Sequence, residues 1–126
     1  MMNQIPTISD AESYVMDQLW QRAPQTAEDL VATLSATQGW QPSTVKTLLN
    51  RLLHKGAISA ERDGRRFLYS VVLERDAWQR SQSVSLIDRL FGGRLAPLVA
   101  QFASQRKLSK TDITALKALL KEHSID

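Results

Sequence analysis

The sequence predicts a mostly α-helical chain whose β structure is confined to one two-stranded hairpin. Two observations predict it. Apolar residues recur at helical spacing through most of the 126 residues, most clearly at Val45, Leu48, Leu49, Leu52 and Leu53 (i, i+3, i+4, i+7, i+8). The period then shortens to two on either side of Asp63-Gly64, where Phe67, Tyr69 and Val71 alternate.

The elements follow in order. Ser9-Asp10-Ala11-Glu12 has the form of a capping box, in which the serine hydroxyl and the glutamate each satisfy a free first-turn N–H. Ala11, Tyr14, Val15 and Leu19 then predict a helix over about residues 10–22, ended by Ala23-Pro24. Thr26-Ala27-Glu28-Asp29 opens a second helix with acidic residues where the helix dipole favours them, and Gly39 stops it. Pro42 suits the first turn of a third helix, closed by Gly56. Ile58–Arg62 and Arg65–Val72 predict two strands joined by Asp63-Gly64, a pair that favours a turn with both residues at positive φ.

From Asp76 the helical period returns. One segment runs to Phe91 and Gly92-Gly93, and a second carries Leu95, Leu98, Val99 and Phe102. A third opens at Ser109, with Asp112 as a capping-box variant, and continues through Ile113, Leu116, Leu119 and Leu120. Three helices and a hairpin within about 65 residues describe a winged helix-turn-helix. The expected division is a head over residues 1–75 and a helical tail over 76–126.

Charge is distributed unevenly. Residues 1–42 carry Arg22 against five acidic side chains, whereas residues 43–66 carry six basic ones against Glu61 and Asp63. A swing from −4 to +4 between neighbouring segments suggests one face built to meet an anion. On the third helix the side opposite the apolar stripe carries Ser43, Lys46, Thr47, Asn50 and His54; of these Ser43, Lys46, Thr47 and Asn50, together with Thr44 of the first turn, are able to hydrogen-bond bases or phosphates. Arg51 is better placed for a phosphate, and Arg62, Arg65 and Arg66 at the hairpin tip would reach the flanking backbone or minor groove. The expected partner is therefore double-stranded DNA. A winged helix can also dock proteins, but such a module needs no basic helix beside a basic wing.

Other classes are disfavoured. The chain has no cysteine, which removes disulfides, thiolate metal sites and a cysteine nucleophile. His54 and His123 are isolated imidazoles, so neither a metal nor another cofactor is expected. There is no glycine-rich phosphate loop, H-E-x-x-H or nucleophile elbow, so no enzyme is predicted. Trp20, Trp40 and Trp78 suit packing better than base stacking. The first thirty residues lack a basic segment followed by an apolar run, and no apolar stretch approaches membrane length. The expectation is a soluble cytoplasmic protein without membrane insertion.

Ile8-Ser9-Asp10-Ala11-Glu12, Leu19-Trp20 and above all the run from Trp40 to Leu52 resemble the penicillinase-repressor family of winged-helix regulators (BlaI/MecI/CopY type). Lys55-Gly56-Ala57-Ile58, the wing Gly64–Tyr69, Leu90-Phe91-Gly92-Gly93, Leu98-Val99 and Leu108-Ser109 extend the resemblance over about residues 8–122. It implies a homodimeric repressor on inverted-repeat operators, with the tail as the dimer contact. In the antibiotic-responsive members it further implies a membrane-bound sensor peptidase and cleavage of an Asn-Phe bond in the tail. This chain carries Gln101-Phe102 there, which keeps the amide and adds a methylene. Thiolate copper sensing, as in other members, would need cysteines that are absent. Gln41 stands where a better N-cap residue would precede the third helix, a cost of about 0.5–1 kcal/mol. The alternative to repression that the same residues allow is a transcriptional activator.

The tail is short for its load of large apolar side chains. Pairing with a second copy through Leu90, Phe91, Leu95, Leu98, Val99, Phe102, Ile113, Leu116 and Leu120 would bury them, and a two-fold dimer matches a two-fold operator. The competing arrangement folds the tail back on its own head.

Overall fold

The computed structural model describes residues 5–123, in the order α1 (Asp10–Gln21), β1 (Gln25–Thr26), α2 (Ala27–Gln38), α3 (Pro42–Lys55), β2 (Ile58–Asp63), β3 (Arg66–Val71), α4 (Arg75–Phe91), α5 (Leu95–Gln105) and α6 (Lys110–Glu122). They fall into two compact units that divide after Ser81, inside α4.

Local chemistry sets the ends of the head helices. At α1, Ser9 Oγ accepts from the Glu12 N–H at 3.1 Å and Glu12 Oε1 accepts from the Ser9 N–H at 2.8 Å, closing the capping box. Thr26 and Asp29 form the same reciprocal pair at α2, with both bonds at 3.1 Å. Gly39 and Gly56 end α2 and α3 at φ 71° and 77°, left-handed positions that a Cβ disfavours. Gln41 makes no side-chain cap bond, so α3 begins with Pro42 at its first turn and no side-chain acceptor for its free N–H groups.

The head core is one cluster. Val15, Met16 and Leu19 of α1, Leu30 and Leu34 of α2, and Val45, Leu48, Leu49 and Leu52 of α3 are buried together with Ile8, Ala57, Ile58 and Leu73. Gln25 is buried but satisfied: its Nε2 donates to the Gln18 and Arg22 carbonyls and its Oε1 accepts from Arg22. Trp20 Nε1 donates to the Leu73 carbonyl at 2.8 Å, and the Trp20 and Trp78 ring centroids lie 5.4 Å apart. Ala77 and Trp78 pack on this core, so the first turn of α4 belongs to the head.

Two features of the sheet depart from the sequence reading. It has three antiparallel strands in the order β1-β3-β2, because Gln25 and Thr26 pair with Tyr69 and Leu68. The turn is also displaced by one residue. Asp63 pairs with Arg66, so the loop residues are Gly64 and Arg65, not Asp63 and Gly64. Only Gly64 takes a positive φ, 68°, as a turn with glycine first requires. The shift spares Asp63 a left-handed backbone and faces it with Arg66, whose guanidinium it binds at 3.1 Å.

The second unit contains the remainder of α4 with α5 and α6. Ser109 Oγ accepts from the Asp112 N–H at 2.9 Å and caps α6, while the return bond of a full capping box is not formed. None of the residues described in these three helices is buried.

Candidate nucleic-acid interface

α3 carries two opposed faces. Val45, Leu48, Leu49 and Leu52 fix one of them in the core, so Ser43, Thr44, Lys46, Thr47, Asn50 and Arg51 are all exposed on the other. Ser43, Thr44, Thr47 and Arg51 line one open depression with Ala11 of α1 and Leu48. Thr47, Asn50, Arg51, His54 and Lys55 line a second groove farther along the helix. Thr47 Oγ1 donates to the Ser43 carbonyl at 2.9 Å. Its proton is thereby engaged, and it offers an incoming base a lone pair and a methyl group. Lys46 lines neither depression; it is exposed and has no side-chain partner among the described residues.

The three wing arginines differ in restraint. Arg62 Nε donates to the Gly64 carbonyl at 3.0 Å, and its guanidinium lies 5.9 Å from the Phe67 ring centroid. Arg66 donates to Asp63 Oδ2 through Nε at 3.3 Å and an NH2 group at 3.1 Å. Arg65, at the tip of the turn, makes no side-chain hydrogen bond or ion pair among the described residues.

One basic residue at the second groove is already engaged within the protein. Lys55 Nζ donates to Glu12 Oε1 and, at 2.7 Å, to the Thr7 carbonyl. Burial pushes the Glu12 carboxyl up, but the Lys55 and Ser9 hydrogen bonds and the Lys55 charge outweigh it and hold the group below the usual carboxylate range. Asp29 is lowered by the backbone N–H and hydroxyl of Thr26. The Lys55–Glu12 pairing spans 43 residues, which no local spacing announces. His54, which the sequence reading set aside as an isolated imidazole, lies in the α3 groove beside Asn50 and Arg51.

In the second unit, Leu90, Leu95, Phe102, Ile113 and Leu120 are exposed, and Phe91, Leu98, Val99 and Leu116 are half-buried. Gln101 and Phe102 both lie inside α5, and the Gln101 carbonyl accepts from Ser104 Oγ at 2.7 Å.

Comparison with known proteins agrees with this architecture. The chain is 34% identical to a penicillinase repressor of Bacillus licheniformis over 122 residues, covering 97% of this chain and 95% of the relative. It is 29% identical to the methicillin resistance regulatory protein MecI of Staphylococcus aureus over 120 residues, covering 95% and 98%. Among solved structures, it is similar to the DNA-binding domain of the repressor BlaI (37% identity, TM-score 0.55, 60% of this chain and 93% of that one). It is also similar to monomeric Bacillus licheniformis BlaI in complex with the blaP half-operator (37% identity, TM-score 0.53, 60% and 93%). The penicillinase repressor family model matches residues 8–122, and the chain belongs to that family.

Proposed function

We propose that this chain is a sequence-specific DNA-binding transcriptional repressor that acts as a homodimer on an inverted-repeat operator. The observation that carries the reading is α3, a helix held by one face in the core while its other face offers six hydrogen-bonding side chains to solvent. A helix of this width enters the major groove, where base edges can be told apart by donor and acceptor pattern. Ser43, Thr44, Lys46, Thr47 and Asn50 would meet the bases and phosphates there, and Arg51 a phosphate. Arg62, Arg65 and Arg66 would meet the flanking backbone or minor groove. The similarity to BlaI, solved on a half-operator, supports the same use of the same fold.

The tail supports the dimer: α4 to α6 bury none of their described residues, and five of the proposed contact side chains are exposed. A second copy would cover them. A soluble, cytoplasmic repressor of the β-lactam-responsive type would answer a membrane-bound sensor peptidase. Gln101–Phe102 is then the candidate cleavage bond, and because it lies within α5, cutting it requires that helix to unwind locally.

The test is titration of an operator selected from random duplexes, alongside a mixed-sequence duplex. Lys46→Ala or Thr47→Ala should cost the operator about 1–3 kcal/mol and relax the preference at one position per half-site. Equal weakening on both duplexes would remove the base-reading role. Affinity that ignored added salt would remove the DNA reading itself.

A further inference from the structure

We infer that His54 is a further DNA contact, a phosphate ligand beside Arg51 whose protonation is linked to binding; this rests on the DNA reading above. The groove on the exposed side of α3 is lined by Thr47, Asn50, Arg51, His54 and Lys55. Its cation-capable groups are thus Arg51, His54 and Lys55, and the third is already engaged by Glu12 and the Thr7 carbonyl. Arg51 and His54 make no hydrogen bond or ion pair among the described residues, and both are exposed. They stand three residues apart, so they are neighbours on one helix face.

Helical rise sets where they would lie. From Ser43 to Arg51 the axis advances by about 12 Å, and to His54 by about 16 Å. The major groove is about 12 Å wide. With the first turn of α3 at the base edges, Arg51 and His54 therefore reach the phosphates that border the groove. A neutral imidazole has one N–H donor, whereas the imidazolium has two and a charge that a phosphate favours. The charged ring therefore binds a phosphate more tightly than the neutral one, and a falling pH should strengthen the contact. Of the elements that pack on α3, α1 contributes Glu12, whose charge is engaged by Lys55. α2 and β2 place no side chain in this groove. Among the described residues no carboxylate lines this groove to compete with the phosphate for the imidazolium.

A phosphate contact is independent of sequence, so the probe is a mixed-sequence duplex of about 30 base pairs, bound by the full chain at fixed ionic strength. Affinity is read by fluorescence anisotropy between pH 8.0 and 5.5. Wild type should tighten severalfold as pH falls. His54→Gln should bind more weakly than wild type and lose most of the tightening. His123→Gln should keep it. Circular dichroism of the His54→Gln variant, altered at an exposed site, separates a binding effect from loss of fold. An equal pH response in wild type and His54→Gln, or a flat wild-type profile, would overturn the inference. A flat profile with a steep salt dependence at pH 8.0 overturns this inference alone, whereas loss of the salt dependence overturns the DNA reading beneath it.

Discussion

Lys55 Nζ, at the last residue of α3, donates to Glu12 Oε1, in the first turn of α1. One carboxylate thereby caps α1, neutralises the end of α3 and joins the two helices. The Glu12 side chain is 2% exposed and that of Lys55 is 33% exposed, so the pair is buried on the acidic side only. Lys55→Met leaves a desolvated carboxylate without its counter-charge. The expected loss is about 2–3 kcal/mol, below the value for a fully buried pair because solvent already screens Lys55. The sign of the pH dependence follows from the depressed Glu12 pKa. Its stabilisation is complete above the unfolded-chain value of about 4.3 and is lost as pH falls through the lower folded value. Urea unfolding of wild type and Glu12→Gln at pH 6 and pH 3 should show their difference narrowing at the acidic end. A constant difference would contradict the pairing.

The missing cap at Gln41 makes an opposite prediction. Gln41 is extended at φ −74° and ψ 152°, already the backbone of an N-cap, but its side chain accepts no N–H. Gln41→Ser supplies an oxygen at hydrogen-bonding length without a charge that would repel DNA. Stability should rise by about 0.5–1 kcal/mol, seen as a higher midpoint in thermal unfolding, with affinity for a mixed-sequence duplex unchanged within about twofold. A lower midpoint would show that Gln41 serves some other contact.

The wing arginines should not be equivalent. Arg65 is free at the turn tip, whereas Arg66 is held by Asp63 and Arg62 by the Gly64 carbonyl and the Phe67 ring. If Arg65 contacts a phosphate, Arg65→Ala should reduce the slope of log affinity against log salt by about 0.9 per head. Arg66→Ala should reduce it less, since the Arg66 charge is already partly neutralised by Asp63. Equal slopes for wild type and Arg65→Ala would exclude the tip from the contact.

Much of the head is legible in its residues because its determinants are local. Ser9/Glu12 and Thr26/Asp29 act over three residues, and the stripe from Val45 to Leu52 lies within one helix. What escaped is long-range or too short to show a period. β1 is two residues that become a strand only because β3 passes beside them. The turn register depends on where Gly64 can take positive φ while Asp63 meets Arg66. Lys55 reads as part of a basic surface until Glu12, far away in sequence, claims it. Trp78 reads as the start of a tail helix, yet it packs against Trp20.

That last contact bears on how the head and tail should be separated. Trp78 and Ala77 cover the head core, and Trp20 both meets the Trp78 ring and donates to the Leu73 carbonyl. A piece ending at residue 75 removes this cover, whereas one ending at Ser81 keeps it and falls where the two units divide. Residues 1–81 should therefore unfold cooperatively, with a higher midpoint than residues 1–75, and sediment as a monomer. If the tail joins two heads, the second head of the full chain binds at high effective concentration. Removing the tail should then weaken operator affinity by about two to four decades while leaving half-site affinity nearly unchanged. Cleavage within the tail would release an operator by the same arithmetic, without any change at α3 or the wing. Sedimentation and titration of the two pieces against the full chain decide the matter. A dimeric 1–81 piece, or a monomeric one with full operator affinity, would place the dimer contact or the source of affinity in the head.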